Sequence, residues 1–496
     1  MNESLFQEQR LRFYTAPDTA VSDHMIYVAV EPEFSDLPLL YFQILLNVDS
    51  TASNYMTPDF GTIINMSAPL ILLGFCLWDY IERQISRRNA ESYRPFQVPA
   101  PEERRYDASD VSLVVPTTDA DANFVGFLCR WLSNRPREVI LVTLEGKEAV
   151  LRRVIESSEV QAAKKDSKIE LLTVKHANKR DQLCVGINAS TGKIIALVDD
   201  DAYYKSDDIL LHLLVPFQED DMGLVGGPIS SYVPADRQQG HIITPWEVAA
   251  LRIRQKRGRS MAGAFAADGG TNFTVSGLTM LLRGEILRDS AFQHAFTNDF
   301  WMGQRQNSSD DAFITRWVLY HHLMPRADET LGPTPKKWRL GIQLVPEAEI
   351  STSLMRDSRF AGQMKRWYRS GLRHRLTCLF DDPGFLRMYR TTPYMARKMG
   401  EGLLNPILTI IRCILWWKTL FTFPLIAIII LLLDLYYWGS DLSAFIAKYP
   451  WCHSKLWAAI IVDRLYLISD WYCWVTLSKE SWMTRSSVKD GNAANS

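Results

Sequence analysis

Three consecutive carboxylates, Asp199-Asp200-Asp201, stand in the run IIALVDDDAYY, directly after a short apolar stretch. Side by side they repel one another, and a divalent cation or a set of amide donors would offset that repulsion. Hard carboxylate oxygens suit Mg2+ or Mn2+. An extended strand end points Asp199 and Asp201 one way and Asp200 the other. A cation held there would bridge a diphosphate and neutralise a leaving group. The competing account is an acidic turn leading into Lys205-Ser206-Asp207-Asp208, with Ser206 capping the next helix. A second acidic pair, Asp310-Asp311, opens the helix-like run DDAFITRWVLY. Asp311 has the chemistry of a general base for a hydroxyl proton. Asp310 beside it raises its proton affinity, whereas a helix start lowers it. Simple capping after Asn307-Ser308-Ser309 competes with that role. A third group, Gln363-Met364-Lys365-Arg366-Trp367, carries a guanidinium suited to two phosphate oxygens. Its indole suits either an apolar ring face or a membrane interface.

The elements around these groups have a clear rhythm. Val111 to Pro116, Val139 to Leu144, Ile169 to Val174 and Ile194 to Val198 read as short apolar strands. Phe124 to Leu132, Ala149 to Ser158 and Arg180 to Ala189 read as helices between them. This alternation over 108–350 predicts an α/β fold, a mostly parallel sheet covered on both faces. Ligands of such sheets sit at the carboxyl ends of the strands, where Asp199 to Asp201 fall. The sequence has no Walker-type loop and no GxGxxG, so kinase and dinucleotide readings lack a motif.

The chain has 496 residues, enough for roughly three domain-equivalents at ~150 residues each. Lys+Arg is 55 and Asp+Glu 56, which excludes a nucleic-acid binder that relies on overall charge. Seven cysteines without a CxxC pair exclude a disulfide scaffold and a zinc knuckle. The first 20 residues carry Glu3, Glu8, Arg10, Arg12 and Asp18 and do not read as a signal peptide. Gly61 to Trp78 is uncharged and spans ~27 Å as a helix, with Arg83, Arg87 and Arg88 following on the expected cytoplasmic side. Leu420 to Tyr437 is a second apolar run, interrupted only by Asp434. Leu403 to Trp417 and Leu456 to Leu477 are further interfacial or spanning candidates. Arg412, Asp463, Arg464 and Asp470 inside them are expected to line a polar path or to pair. The basic run Arg252, Arg254, Lys256, Arg257, Arg259 is expected at the surface or against lipid headgroups.

The order of the pieces resembles the processive family 2 glycosyltransferases: hyaluronan, cellulose and chitin synthases, and above all fungal capsule-type polysaccharide synthases. Asp199-x-Asp201, then Ser276-Gly277 in SGLTMLLR, then Ser309-Asp310-Asp311, then the QxxRW of Gln363, Arg366 and Trp367 carry the likeness over about 108–480. The resemblance implies a GT-A type, Rossmann-like catalytic domain between transmembrane and interfacial helices. It implies that Thr117, Lys179, Arg180, Gln182 and Asp199 line the nucleotide, and that Asp201 ligates Mg2+ or Mn2+ on the diphosphate. Ser276 and Gly277 would shape the donor and acceptor pocket. Asp311, with Asp310 beside it, would be the general base, and Gln363, Arg366 and Trp367 would grip the pyrophosphate and the acceptor sugar. Two departures stand out. The family's acidic pair that reads uracil after the second strand is missing, so that either Glu145 substitutes for it or uracil is read differently, and Ser309 replaces the usual Gly.

The implied reaction is inverting transfer from a UDP-sugar to a growing polysaccharide, with export through the membrane. The alternatives are transfer of one sugar to a lipid, or a channel with a nucleotide-sensing domain. Expected partners are the UDP-sugar, the polysaccharide, membrane lipid and a second copy of the chain, with no nucleic acid. The expected place is the plasma membrane, multi-pass, with the catalytic domain cytoplasmic. The expected partition is an N-terminal region (1–60), a transmembrane helix (61–80), a linker (81–107) and the catalytic domain (108–350). A QxxRW and interfacial segment (351–400), membrane helices (401–480) and a tail (481–496) complete it.

Overall fold

The computed structural model describes residues 60–479 apart from 119, 121, 122, 256 and 325–334. Expectations for 1–59 and for the tail 481–496 lie outside the described residues. The strands are β1 (Val111–Pro116), β2 (Glu138–Leu144), β3 (Lys168–Val174), β4 (Ile194–Val198), β5 (Ala202–Tyr204), β6 (Met222–Gly226), β7 (Ile229–Tyr232), β8 (Thr279–Arg283), β9 (Phe300–Trp301), β10 (Gln304–Arg305), β11 (Arg339–Ile342) and β12 (Ile350–Ser353). The longer helices are α1 (Phe60–Ser92), α2 (Phe124–Ser133), α3 (Lys179–Ala189), α4 (Pro245–Gln255), α5 (Arg257–Ala267), α6 (Ser290–Thr297), α7 (Asp310–Tyr320), α8 (Arg359–Phe380), α9 (Pro393–Thr422), α10 (Pro424–Lys448) and α11 (Leu456–Val475).

Seven strands form the central sheet in the order β11-β6-β8-β4-β1-β2-β3. The pairs β4-β1, β1-β2 and β2-β3 are parallel, as the alternation predicts. Only β8 runs against its neighbours β4 and β6. Two-residue periodicity sorts the strand side chains between two cores. Val114, Ile195 and Leu197 meet Leu183 and Ile187 of α3 on one face. Leu113, Val115, Ile194 and Ala196 meet Phe124, Leu128 and Trp131 of α2 on the other. Trp131 is fully buried, and its indole Nε1 donates to the Ala202 carbonyl at 2.8 Å, so its polar edge is satisfied. A second sheet, β5-β12-β7, lies beside the end of β4.

Two described helices, α9 and α10, are long and apolar enough to cross a bilayer. The structure corrects the single run expected from Leu420 to Tyr437. Pro424 has no amide hydrogen and disfavours helical geometry at the residue before it. Phe423 accordingly has φ −138° and ψ 71°, and one helix ends at Thr422 while the next starts at Pro424. Leu403 to Trp417 lies wholly within α9. The run at 61–80 is the first part of the 33-residue α1, which extends to Ser92 and contains Pro69. Ser206 is not the cap of its helix; Asp208 is, and Ser206 Oγ accepts from the Asp208 amide at 3.1 Å.

The basic run after residue 250 is corrected too. Arg252 is 1% exposed, and its guanidinium binds Asp463 and Asp441, each at 2.7 Å. Arg254 is buried over Trp367, 5.1 Å from the ring centre. Arg259 on α5 is exposed, whereas α4, which carries Arg252 and Arg254, packs against α11. The basic residues of α8 and of the start of α9 are likewise tied inward in part. Arg369 donates to Thr476 Oγ1, and Arg397 and Lys398 pair with Glu82 of α1.

Helix α3 sits unusually close to the sheet at Gly186. A Cβ there would lie 2.4 Å from Val114 Cγ1 and 3.1 Å from Val142 Cγ2. Alanine would gain up to ~1 kcal/mol of helix propensity but incur an overpacking cost of ~1–3 kcal/mol. The second effect is the larger. Gly186→Ala is therefore expected to lower the thermal midpoint, and an unchanged or raised midpoint would refute the close approach.

Candidate active site

The site forms where β1, β2 and β4 end and β8 begins. Asp199 follows β4, and its amide donates to the Leu278 carbonyl at 3.0 Å, which brings Ser276 and Gly277 alongside. The three aspartates do not continue the strand. The Ala202 amide returns to the Asp199 carbonyl at 3.0 Å, so they occupy a tight turn. This replaces the expected alternation with three separate contacts. Asp200 Oδ2 accepts from Thr117 Oγ1 at 2.8 Å, locking the end of β1 to the turn. Asp201 Oδ2 accepts from Thr352 Oγ1 at 2.8 Å, across the β5-β12 pair. Asp199 Oδ1 pairs with Lys179 Nζ at 2.7 Å.

Lys179 is the centre of the arrangement. Its amine also holds Asp310 Oδ2, at 2.8 Å, and so joins the start of α3 to the start of α7. The backbone is arranged for this. Asn178 caps α3 by accepting from the Arg180 and Asp181 amides, and Asn307 Oδ1 accepts from the Lys179 amide at 3.0 Å. Ser309 precedes α7 with φ 62° and ψ 30°, the left-handed region that glycine adopts most easily. Its hydroxyl lies 2.6 Å from that of Ser370 on α8. That bond accompanies a serine where the resembled family carries glycine.

Electrostatics follow from burial. Burial opposes the charge on Lys179, but Asp199 and Asp310 outweigh it and hold the amine protonated, above the ordinary lysine range. Burial also raises Asp199, with Asp201 and Asp310 adding to the rise against the pull of Lys179. Asp310 is held below the usual carboxylate range, because Lys179 and then Arg180 outweigh its burial. Arg366 on α8 is lowered by burial while Asp199, Asp310, Asp311 and Asp201 all act to raise it. That guanidinium therefore faces the whole carboxylate cluster.

Asp311 has a different setting from Asp310. Its Oδ1 accepts from the Ala312 amide at 2.8 Å and its Oδ2 from the Gly277 amide at a long 3.4 Å. Gly277 lies between the two acidic segments. A Cβ there would stand 3.4 Å from Asp311 Cβ and 3.6 Å from Lys179 Nζ. Trp367 packs edge-on to Phe360, with ring centres 6.3 Å apart, while Gln363 is half-buried one turn earlier on α8.

Four of the sequence candidates stand apart from the Lys179 cluster. Arg180 is 1% exposed and directs its guanidinium away from Lys179, to Asp299 at 2.9 Å and the Phe296 carbonyl. Gln182 is also 1% exposed, and its amide bridges the Thr117 and Val142 carbonyls, fixing the ends of β1 and β2. Helical spacing puts these two side chains on faces other than that of Lys179. Thr117 is buried and committed to Asp200. Glu145 is exposed just beyond β2, where its amide donates to the Val174 carbonyl. Sequence reasoning missed Thr352, whose partnership with Asp201 depends on the order of the second sheet, and Ser370, whose role needs the α7-α8 packing.

No group of three or more His, Cys, Asp or Glu among the described residues is arranged to enclose a metal ion. Asp201 offers a single hard donor, which fits Mg2+ or Mn2+ when phosphate oxygens and water complete the shell.

Removing one partner of a buried ion cluster typically costs ~3–5 kcal/mol. Lys179→Met removes the amine from Asp199 and Asp310, so Asp199 rises further above its unfolded pKa and Asp310 loses what holds it low. That penalty is absent below the unfolded pKa and grows as pH rises through it. Denaturation of the variant should therefore show a larger deficit against wild type at pH 7 than at pH 4.5. An equal deficit at both would contradict the bridging role.

Comparison with known proteins identifies the family. Residues 108–323 match the family model described as Glycosyltransferase like family 2. An NDP-glycosyltransferase of Aspergillus luteorubrus, ltbB, is 34% identical over 412 residues, which cover 82% of this chain and 95% of that relative. A type 2 glycosyltransferase of Zymoseptoria tritici is 31% identical over 291 residues, covering 58% of this chain and 55% of that one. A mannosyltransferase of Pyrobaculum calidifontis, solved with GDP-mannose and Mn2+, has 16% identity and a TM-score of 0.49, covering 84% of this chain and 97% of that one. The chain belongs to the family 2 glycosyltransferases, and its mixed sheet with an acidic turn at the strand ends is their GT-A fold.

Proposed function

We propose that the protein transfers a sugar, with inversion, from a UDP-sugar to an acceptor hydroxyl, in a membrane-bound reaction that extends a polysaccharide. The observation that carries this reading is the convergence of Asp199, Asp201, Asp310, Asp311, Lys179 and Arg366 at one set of strand ends. The acceptor oxygen attacks the anomeric carbon, and its proton passes to Asp311. The bond from that carbon to the diphosphate oxygen breaks, and the electron pair leaves with the nucleoside diphosphate. Arg366 stabilises the charge that grows there. A Mg2+ or Mn2+ ion, when bound, supplies further neutralisation, with Asp201 as its protein donor. Lys179 orients Asp199 and Asp310 and keeps their charges from repelling the approaching phosphates. Gly277 leaves room for the reacting ring, and Trp367 offers a flat apolar face to the acceptor sugar. One displacement of this kind requires no covalent intermediate.

The apolar helices α9 and α10 support a membrane location, with the basic flank of α1 and α9 on the cytoplasmic side. A second reading, addition of a single sugar to a lipid or other acceptor, is favoured by one observation. Three of the four charges expected along an export path are engaged with protein. Arg412 pairs with Asp79 at 2.8 Å, Asp463 binds Arg252 and the Trp438 indole, and Arg464 lies over Trp438. A polymer series from one donor would select the first reading, and a monoglycosylated product the second.

Asp311→Asn should reduce transfer ~10²–10⁴-fold while UDP binding is kept, as expected for a general base. Asp201→Asn should instead weaken UDP binding measured in Mn2+. Full transfer by Asp311→Asn, or unchanged UDP binding by Asp201→Asn, would reject the assigned roles.

A further inference from the structure

A cleft of about 810 Å³ opens between α1 and α9, and none of Lys179, Asp199, Asp201, Asp311 or Arg366 lines it. Glu82 of α1 pairs with Arg397 and Lys398 near the start of α9, and Asp79, about one turn earlier, pairs with Arg412 further along it. Arg412 crosses the Phe75 ring, 4.7 Å from its centre, to reach Asp79. The two helices thus run antiparallel, and the cleft has a charged end and an apolar end. Ile71, Gly74, Phe75 and Leu408 line the apolar end. A Cβ added to Gly74 would meet nothing within 4 Å, so this end has room for a chain. Leu70 of α1 and Leu404, Ile407 and Ile411 of α9 are exposed around it. The cleft therefore opens onto the apolar surface of a helix long enough to cross a bilayer.

The charged end is not neutral by itself. Asp79 is taken by Arg412, while Glu82 and Glu401 are shared by Arg397 and Lys398. Arg83 lines the same cleft and pairs with no carboxylate among the described residues. Its guanidinium lies over the Tyr437 ring of α10, 4.0 Å from the ring centre, a contact that leaves N–H donors over for an anion. Asp434 of α10 lies in the field of Arg83 and of Arg464 alike and pairs with neither. One positive charge is thus left over beside an apolar channel. An amphiphile with a single negative headgroup charge matches both ends at once. In the proposed orientation the basic ends of α1 and α9 face the cytoplasm, and the cytoplasmic leaflet is the one that carries anionic lipid.

We propose that this cleft holds one anionic phospholipid of the cytoplasmic leaflet, with its phosphate on Arg83 and an acyl chain along Gly74 and Leu408. A zwitterionic lipid meets the same guanidinium but brings a cation to a site that already has one in excess. The proposal rests on the membrane reading and is independent of the sugar-nucleotide one. The test is calorimetry on the full chain in detergent, with dioctanoyl phosphatidylserine and dioctanoyl phosphatidylcholine as probes. Phosphatidylserine should bind about fivefold more tightly, the worth of one basic side chain beside an anionic headgroup. Arg83→Gln should bind the two lipids alike. Gly74→Leu fills the apolar end with a good helix former and should weaken both about tenfold, the equivalent of about two buried methylenes. Arg87→Gln, whose arginine pairs with Glu91 outside the cleft, should keep the wild-type preference. Lipid-free thermal midpoints equal to wild type show that the variants are folded. The proposal is overturned if wild type binds both lipids alike, if Arg87→Gln loses the preference as Arg83→Gln does, or if Gly74→Leu binds as wild type. Flotation of the chain with phosphatidylcholine vesicles, together with no preference between the probes, would keep the membrane reading and sink the cleft alone. Failure to float would sink both.

Discussion

One buried amine organises the catalytic centre. Lys179 stands between carboxylates from two distant segments, at the end of β4 and the start of α7. Without it, Asp199, Asp201, Asp310 and Asp311 would place several negative charges in a poorly hydrated space, at a free-energy cost that folding could not readily absorb. With it, the two acidic segments come together, in the field of Arg366. The remaining contacts serve this placement. Asn178 and Asn307 fix the lysine backbone, Gln182 fixes the strand ends, and Thr117 and Thr352 hold Asp200 and Asp201 of the acidic turn.

Asp310 and Asp311 show how neighbouring residues of one type acquire different tasks. Asp310 is held ionised by its cationic partner and so is suited to structure rather than proton transfer. Asp311 accepts from the Ala312 and Gly277 amides and lies in the field of Arg366 rather than on the lysine. The division of labour thus follows from which side of the first turn of α7 faces Lys179.

Much of this was legible in the sequence. The strands β1 to β4 and the helices between them follow directly from apolar runs and periodicity, because a sheet buried on both faces must be continuously apolar. The acidic turn and the QxxRW segment were legible as candidates because their side chains are chemically unusual in such surroundings. What sequence could not supply was direction. Lys179, Arg180 and Gln182 are adjacent, yet one enters the site, one turns to Asp299 and one binds strand carbonyls. The antiparallel entry of β8 and the Thr352 contact depend on pairings between distant segments, which no local pattern encodes. The basic run at Arg252 misleads for a related reason. Charge density suggests a wet surface, but partners two hundred residues away make burial tolerable.

Those partners have a consequence of their own. The side chain of Arg252 leaves the catalytic half of the molecule and finds its counter-charges on Asp441 and Asp463, in the helical half. Neither half can neutralise that junction alone. Cutting the chain between them would strand a guanidinium on one fragment and two carboxylates on the other. The C-terminal helices are consequently part of what folds the catalytic domain.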